Sequence, residues 1–268
     1  MNRAKPPKGI FLMPRPSVRV ACLVLFAAVL SASGPARAAD VVVLTAGAFK
    51  PALLDLTPGY EAVSRDTVVV SNDTAGGVAA RVARGEEMDL VIMPAPALEA
   101  LTAQGRIVAG TVVVLARSGI GVAVKNGAPA PNIGTVEAFK QAMLAAPSVA
   151  YIDPASGGSS GIYIAKLFDK LGIAAAMSRT SVLVPGGLVG SRVDNGEAVL
   201  GLQQISELRV VSGVTVAGPL PEEIQNYTVY AAGIPKSARR PRAGEALLAY
   251  LRSEAGTKAL LARGLSSP

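Results

Sequence analysis

From residue 40 onward, short β-branched runs alternate with segments whose apolar residues recur at helical spacing. Val41 to Leu44 is the first run, Thr45-Ala46-Gly47-Ala48 follows, and Ala52, Leu53, Leu56 and Tyr60 then share one helical face. Thr67 to Ser71 predicts a second strand, Asn72 to Gly77 a polar glycine turn, and Val78 to Arg84 a short helix ahead of Gly85. Met88 to Met93 predicts a third strand and Ala95 to Gln104 a helix stopped by Gly105. Strands alternating with helices of this length predict an α/β fold with a largely parallel sheet.

At Val112 to Val124 the rhythm changes, because two apolar runs are separated only by Arg117-Ser118-Gly119. Strands joined this tightly predict a crossing between two lobes. The strand-turn-helix unit then restarts, with a helix over Thr135 to Ala145, a strand over Ser148 to Ile152, a glycine-serine turn and a helix over Ile162 to Leu171. Val182 to Val184, Ala198 to Gln203 and Val229 to Ile234 predict further strands, with a short helix over Leu188 to Asp194. Pro219-Leu220-Pro221 predicts a rigid element ahead of a return crossing, and helices over Glu245 to Leu251 and Gly256 to Leu261 finish the chain.

The segment ahead of this pattern is different. Residues 1–38 carry Arg3, Lys5, Lys8, Arg15 and Arg19, then the apolar run Val20 to Leu30, then Ala36-Arg37-Ala38, the order of a cleavable export signal cut after Ala38. Eleven apolar residues fall short of the ~20 that span a bilayer. Cys22 opens that run, where a lipid-anchoring cysteine would end it. The signal holds six of the 26 basic residues and none of the 19 acidic ones, so the mature chain, with 20 against 19, is close to neutral. Nucleic-acid binding thereby loses its compositional support. The chain has no histidine and its one cysteine lies in the signal, which excludes disulfides, cysteine nucleophiles and the usual zinc sites; no metal or cofactor is expected.

Three turns share one design: Ala46-Gly47-Ala48, Thr74-Ala75-Gly76-Gly77 and Ser156-Gly157-Gly158-Ser159-Ser160-Gly161. In each a strand ends, small residues follow and a helix begins. A helix start leaves about four N–H groups without partners and about half a positive charge, so it binds an anion without a lysine or arginine. Any one of them is equally an ordinary N-cap; three spread over two repeated units point to a shared site at the carboxyl ends of the strands. Gly157-Gly158-Ser159-Ser160-Gly161 also fits the G-x-S-x-G pattern of serine hydrolases, but no histidine exists to take the serine proton and Lys166 lies more than a helical turn away. The chain is therefore read as a binding protein and not an enzyme. Gln203 and Gln204 are candidate amide donors, and Arg117 a candidate partner for an anionic ligand or a solvated charge. Asp73 and Asp153 read as turn formers, because a carboxylate repels an anion, and Arg239-Arg240-Pro241-Arg242 as a solvated helix entrance.

VVLTAGAFKPAL, VAARVARGEEMDLVIMP, YIDPASGGSSGIYIAKLFDKLGI and VDNGEAVLGLQQISEL stand in the order and at the spacing of periplasmic molybdate-binding proteins, which the whole mature chain resembles. The resemblance implies the type II periplasmic binding fold: two α/β lobes, two hinge crossings, and ligand in the cleft. With the crossings above, the lobes are 39–117 plus 228–268, and 118–227. It also implies a periplasmic, monomeric component of an ABC importer that passes a small anion, molybdate or a similar oxyanion, to a membrane permease. The family's ligand positions fall here on Ala48, Gly76, Ser160, Gly186 and Gln204, so two serine hydroxyls and a tyrosine phenol are replaced. Thr45, Thr74, Ser159 and Ser160 are the nearest substitute hydroxyls, and Gly47, Gly77 and Gly161 the accompanying turn glycines. Either the oxyanion is held differently, or the ligand is another small anion such as an organic carboxylate. An exported sensor or interaction partner of the same fold is the remaining alternative.

Overall fold

The computed structural model describes residues 1, 2, 4 and 40–268. The basic and apolar parts of the expected export signal lie outside the described residues. From residue 40 the chain forms β1 (Asp40–Ala46), a 3-10 turn (Gly47–Phe49), α1 (Lys50–Ser64), β2 (Thr67–Asp73), α2 (Ala75–Ala83), β3 (Leu90–Pro94), α3 (Ala95–Ala103) and β4 (Val113–Ser118). After Gly119 come β5 (Ile120–Lys125), α4 (Val136–Ala145), β6 (Val149–Ile152), a 3-10 turn (Pro154–Ser156), α5 (Ser159–Lys170), α6 (Ala174–Thr180), β7 (Ser181–Val184), α7 (Gly190–Asp194), β8 (Leu200–Gln204), α8 (Ile205–Leu208) and β9 (Val214–Pro219). A last 3-10 turn (Glu222–Ile224) leads to β10 (Thr228–Gly233), α9 (Pro241–Leu251) and α10 (Glu254–Ala262).

The strands make two five-stranded sheets of matching design, ordered β2-β1-β3-β10-β4 and β7-β6-β8-β5-β9. Both belong to one unit spanning Ala39–Pro268. In the first sheet β1 pairs in parallel with β2 and β3, and in the second β6 pairs in parallel with β7 and β8. The remaining ladders are antiparallel, so each sheet is half parallel and not largely so. The reason is topological: β5 and β10 enter their sheets from the other lobe and run against the strands that the repeated units supply. β1 and β3 are buried on both faces, as strands covered by helices on each side must be. One core gathers Phe49, Leu53, Tyr60, Leu90 and Tyr230; another gathers Phe139, Tyr151, Ile164 and Phe168.

The crossings are fastened by one side chain. Gln225 accepts from the Ile120 amide at 2.9 Å and donates to the Ile120 carbonyl at 3.0 Å, tying the return crossing to the outgoing one. Three elements, α6, α8 and β9, had no forecast. α6 buries only Met177 and so lacks an apolar stripe, and β9 lies at a sheet edge with no residue fully buried. α5 starts at Ser159, three residues before the expected Ile162, because its first turn is made of small polar residues that carry no hydrophobic signal.

Candidate functional site

The carboxyl ends of β1, β2, β6 and β8 face a cavity of about 590 Å³ between the two sheets. Of the residues singled out from the sequence, Gly47, Ala48, Thr74, Ser159, Ser160, Gly186 and Gln204 line it. Gln204 donates through Nε2 to Ser159 Oγ at 2.8 Å, fixing both side chains at the wall. Gln203 lines the cavity too but is not a free donor: its Oε1 accepts from Val189 N at 2.8 Å and its Nε2 donates to the Gly187 carbonyl at 2.9 Å. It buttresses the Pro185–Leu188 turn that carries Gly186.

Thr45, Gly76, Gly77, Gly161 and Arg117 are not among the lining residues. Thr45 is fully buried and its hydroxyl donates to the Ala46 carbonyl at 3.1 Å. Gly161 lets α5 lie against β6, since a Cβ there would sit 2.0 Å from the Ile152 carbonyl oxygen. Arg117 exchanges backbone hydrogen bonds with Ser266 at 2.9 Å, and its guanidinium lies 4.6 Å over the Tyr227 ring. It belongs to the hinge, where chain end and crossing strand meet.

The second and third glycine turns meet each other across the cleft. Gly76 N donates to the Gly157 carbonyl at 3.1 Å, and Thr74 Oγ1 donates to the Ser156 carbonyl at 2.7 Å while accepting from Gly77 N at 3.1 Å. The approach requires glycine on both sides: a Cβ at Gly157, whose φ is +76°, would lie 3.0 Å from the Gly76 Cα. These donors therefore clasp the lobes together. Thr74→Val removes the side-chain half of the clasp and the α2 N-cap, and should lower stability by about 1–2 kcal/mol. A larger radius of gyration in solution scattering should accompany the loss, with Thr74→Ser restoring both.

The cavity also holds groups that the sequence did not single out. Lys50 and Arg263 bring positive charge to its wall, Lys50 donating to Asn72 Oδ1 at 2.8 Å and Arg263 pairing with Asp55 at 2.7 Å. The Arg263 hydrogen bond holds the Asp55 carboxyl below the usual carboxylate range. Tyr230 closes the floor; burial, and then the charge of Glu207, push its phenol far up, against opposing hydrogen bonds from Ser159 and Thr228. Glu207, on α8, is only 7% exposed and lies so close to the first turn that a Cβ on Gly47 would be 2.5 Å from its Oε1. Burial pushes its carboxyl up to about 8, so at neutral pH it is mostly uncharged.

The model of the bacterial extracellular solute-binding proteins matches residues 41–266. The chain belongs to that family. A curated relative, the aconitate isomerase of a Pseudomonas species, is 34% identical over 261 residues, covering 95% of this chain and 97% of the relative. Among solved structures, the Azotobacter vinelandii periplasmic molybdate-binding protein superposes with a TM-score of 0.71 at 19% identity, over 85% of this chain and 99% of that one. An Agrobacterium tumefaciens ABC-transporter substrate-binding protein gives 0.68 at 17%, over 88% and 82%. At these identities the two structures establish the two-lobed fold alone.

For a solute-binding protein with this cleft, Glu207 and Tyr230 were, with Lys50 and Arg263, the residues missed. Ile205-Ser206-Glu207-Leu208 has the look of a short surface helix, and Tyr230 sits inside an apolar strand run. Neither segment carries a local signal; both reach the cavity because β8 ends and β10 begins beneath it.

Proposed function

We propose that the cleft captures a small organic polycarboxylate, which places the carboxylate alternative ahead of the tetrahedral oxyanion. The observation that carries this is Glu207, a protonated acid facing the cavity with no hydrogen bond or ion pair to the described residues. A neutral carboxyl donates to a carboxylate without repelling it, whereas an oxyanion site built on serine hydroxyls is not present at Ala48 and Gly76. Size agrees. At roughly 20–30 Å³ per heavy atom, the scale of water in its liquid, a tetrahedral oxyanion takes about 100–150 Å³ and a six-carbon tricarboxylate about 250–350 Å³. The 590 Å³ cavity suits the second, with room for water. The α5 start at Ser159 and Ser160 and the Lys50 and Arg263 side chains would hold the carboxylates, and the clasp would close over them. In this reading the protein works outside the cytoplasmic membrane and presents its ligand to an importer permease.

A second reading is that the cleft also isomerises its ligand, as the name of the Pseudomonas relative says of that protein. Glu207 favours it, since a carboxyl titrating near neutrality is suited to moving protons. The test is a thermal-shift series on residues 40–268 with cis-aconitate, trans-aconitate, citrate, molybdate and sulfate. A rise of several degrees with the tricarboxylates and none with molybdate is expected. The reverse order returns the site to the oxyanions.

A further inference from the structure

We infer that the Glu207 carboxylate is the proton carrier of an allylic isomerisation in this cleft, taking a proton from one carbon of an unsaturated polycarboxylate and returning it to another. The inference rests on the isomerase reading above and adds the residue and the route.

Interconverting the geometric isomers of an unsaturated acid requires its double bond to be broken or moved. One route adds a nucleophile to the double bond and expels it after rotation; the chain's only cysteine precedes residue 40, and it has no histidine to activate a serine. The other moves a proton across the allylic system and needs only an acid-base group. Six side chains that ionise line the cavity, and five are committed elsewhere. Asp55 and Arg263 are paired with each other, Lys50 is bonded to Asn72, Asp73 accepts from the Thr74 amide at 2.8 Å, and the Tyr230 phenol is far too weak an acid. Glu207 remains. It is over nine-tenths buried, faces the cavity from α8, sits against Gly47 of the first turn and makes no hydrogen bond or ion pair to the described residues.

The step balances without any other reactant. The Glu207 carboxylate removes a proton from a CH₂ flanked by a carboxylate and the double bond, and the C–H electron pair becomes the new carbon–carbon double bond. The old π pair moves to the far carbon, which then takes a proton from the Glu207 acid, the same one or one exchanged there with solvent, regenerating the carboxylate. Nothing is oxidised or reduced and no group leaves. The negative charge that develops falls beside the α5 start at Ser159 and Ser160. Tyr230 from β10 is coupled to Glu207 by charge, and Lys50 and Asp55 from α1, Asp73 from the end of β2 and Arg263 after α10 line the same cavity; burial dominates its titration. The ionised form does the work, so kcat/KM should rise about tenfold per pH unit and level off near pH 8.

The experiment follows cis-aconitate and trans-aconitate by proton NMR in D₂O with purified residues 40–268, reading isomer ratio, deuterium incorporation and, by calorimetry, affinity. Wild type should interconvert the isomers and label the allylic carbon. E207Q should bind within about tenfold of wild type yet lose 10²- to 10⁴-fold in both reactions, and E207D should recover part of the rate. An E207Q variant that isomerises at the wild-type rate overturns the role of Glu207 and leaves the isomerase reading standing. A wild-type protein that binds these acids but neither isomerises nor labels them overturns the isomerase reading and this inference with it, leaving capture intact.

Discussion

Between pH 5 and pH 8 the unliganded protein loses several kcal/mol of stability that an E207Q variant keeps. Burial holds the Glu207 carboxyl protonated to about pH 8, against an ordinary value of 4.5, so the unfolded chain releases its proton first. In that window the folded state holds one more proton than the unfolded state, and each pH unit removes about 1.4 kcal/mol. The contribution is complete below about pH 4.5, falls as pH rises, and is gone above about pH 8, a total of roughly 4–5 kcal/mol. With no histidine in the sequence, no other side chain ordinarily titrates there. Urea unfolding at three pH values gives the slope for each protein, and the slope is insensitive to any constant cost of burying the glutamine amide. Parallel slopes for wild type and E207Q would mean that Glu207 titrates as an exposed acid.

Gly161→Ala damages stability and binding together. The added Cβ would stand 2.0 Å from the Ile152 carbonyl oxygen and 2.7 Å from its carbon, and backbone cannot swing aside as a side chain can. α5 must lift off β6, at about 1–3 kcal/mol for overpacking, carrying Ser159 and Ser160 away from the cavity. Ligand affinity should fall at least tenfold. Gly172→Ala is the control: its φ of +70° makes alanine cost about 1 kcal/mol, but nothing lies within 4 Å and the cavity is remote, so affinity should hold. A G161A protein that melts and binds like wild type would show that helix and strand tolerate the separation.

Much of this architecture was legible because its signals are local. β1 with its glycine turn, the restart after Gly119 and the glycine-serine turn after β6 each announce themselves in six to ten residues, and together they place the cleft. The roles of individual residues were less legible, because they depend on what lies across the cleft. Gly76 and Thr74 read as anion donors, but their bonds go to Gly157 and Ser156, some eighty positions on. Arg117 reads as a ligand partner, but Tyr227 and Ser266 hold it at the hinge. Glu207 had no signal at all: a glutamate on a four-residue helix becomes a buried acid only when β10 and the first turn pack around it.

The most direct measurement of the organic-acid reading is calorimetric titration of residues 40–268 with trans-aconitate at pH 9, in two buffers of different ionisation enthalpy. The ligand is fully ionised there and Glu207 is mostly so, and placing the two in contact favours protonated Glu207. One-to-one binding with uptake of close to one proton is predicted, absent in E207Q. Binding of molybdate in place of the tricarboxylate, or tricarboxylate binding with no proton uptake, would contradict it.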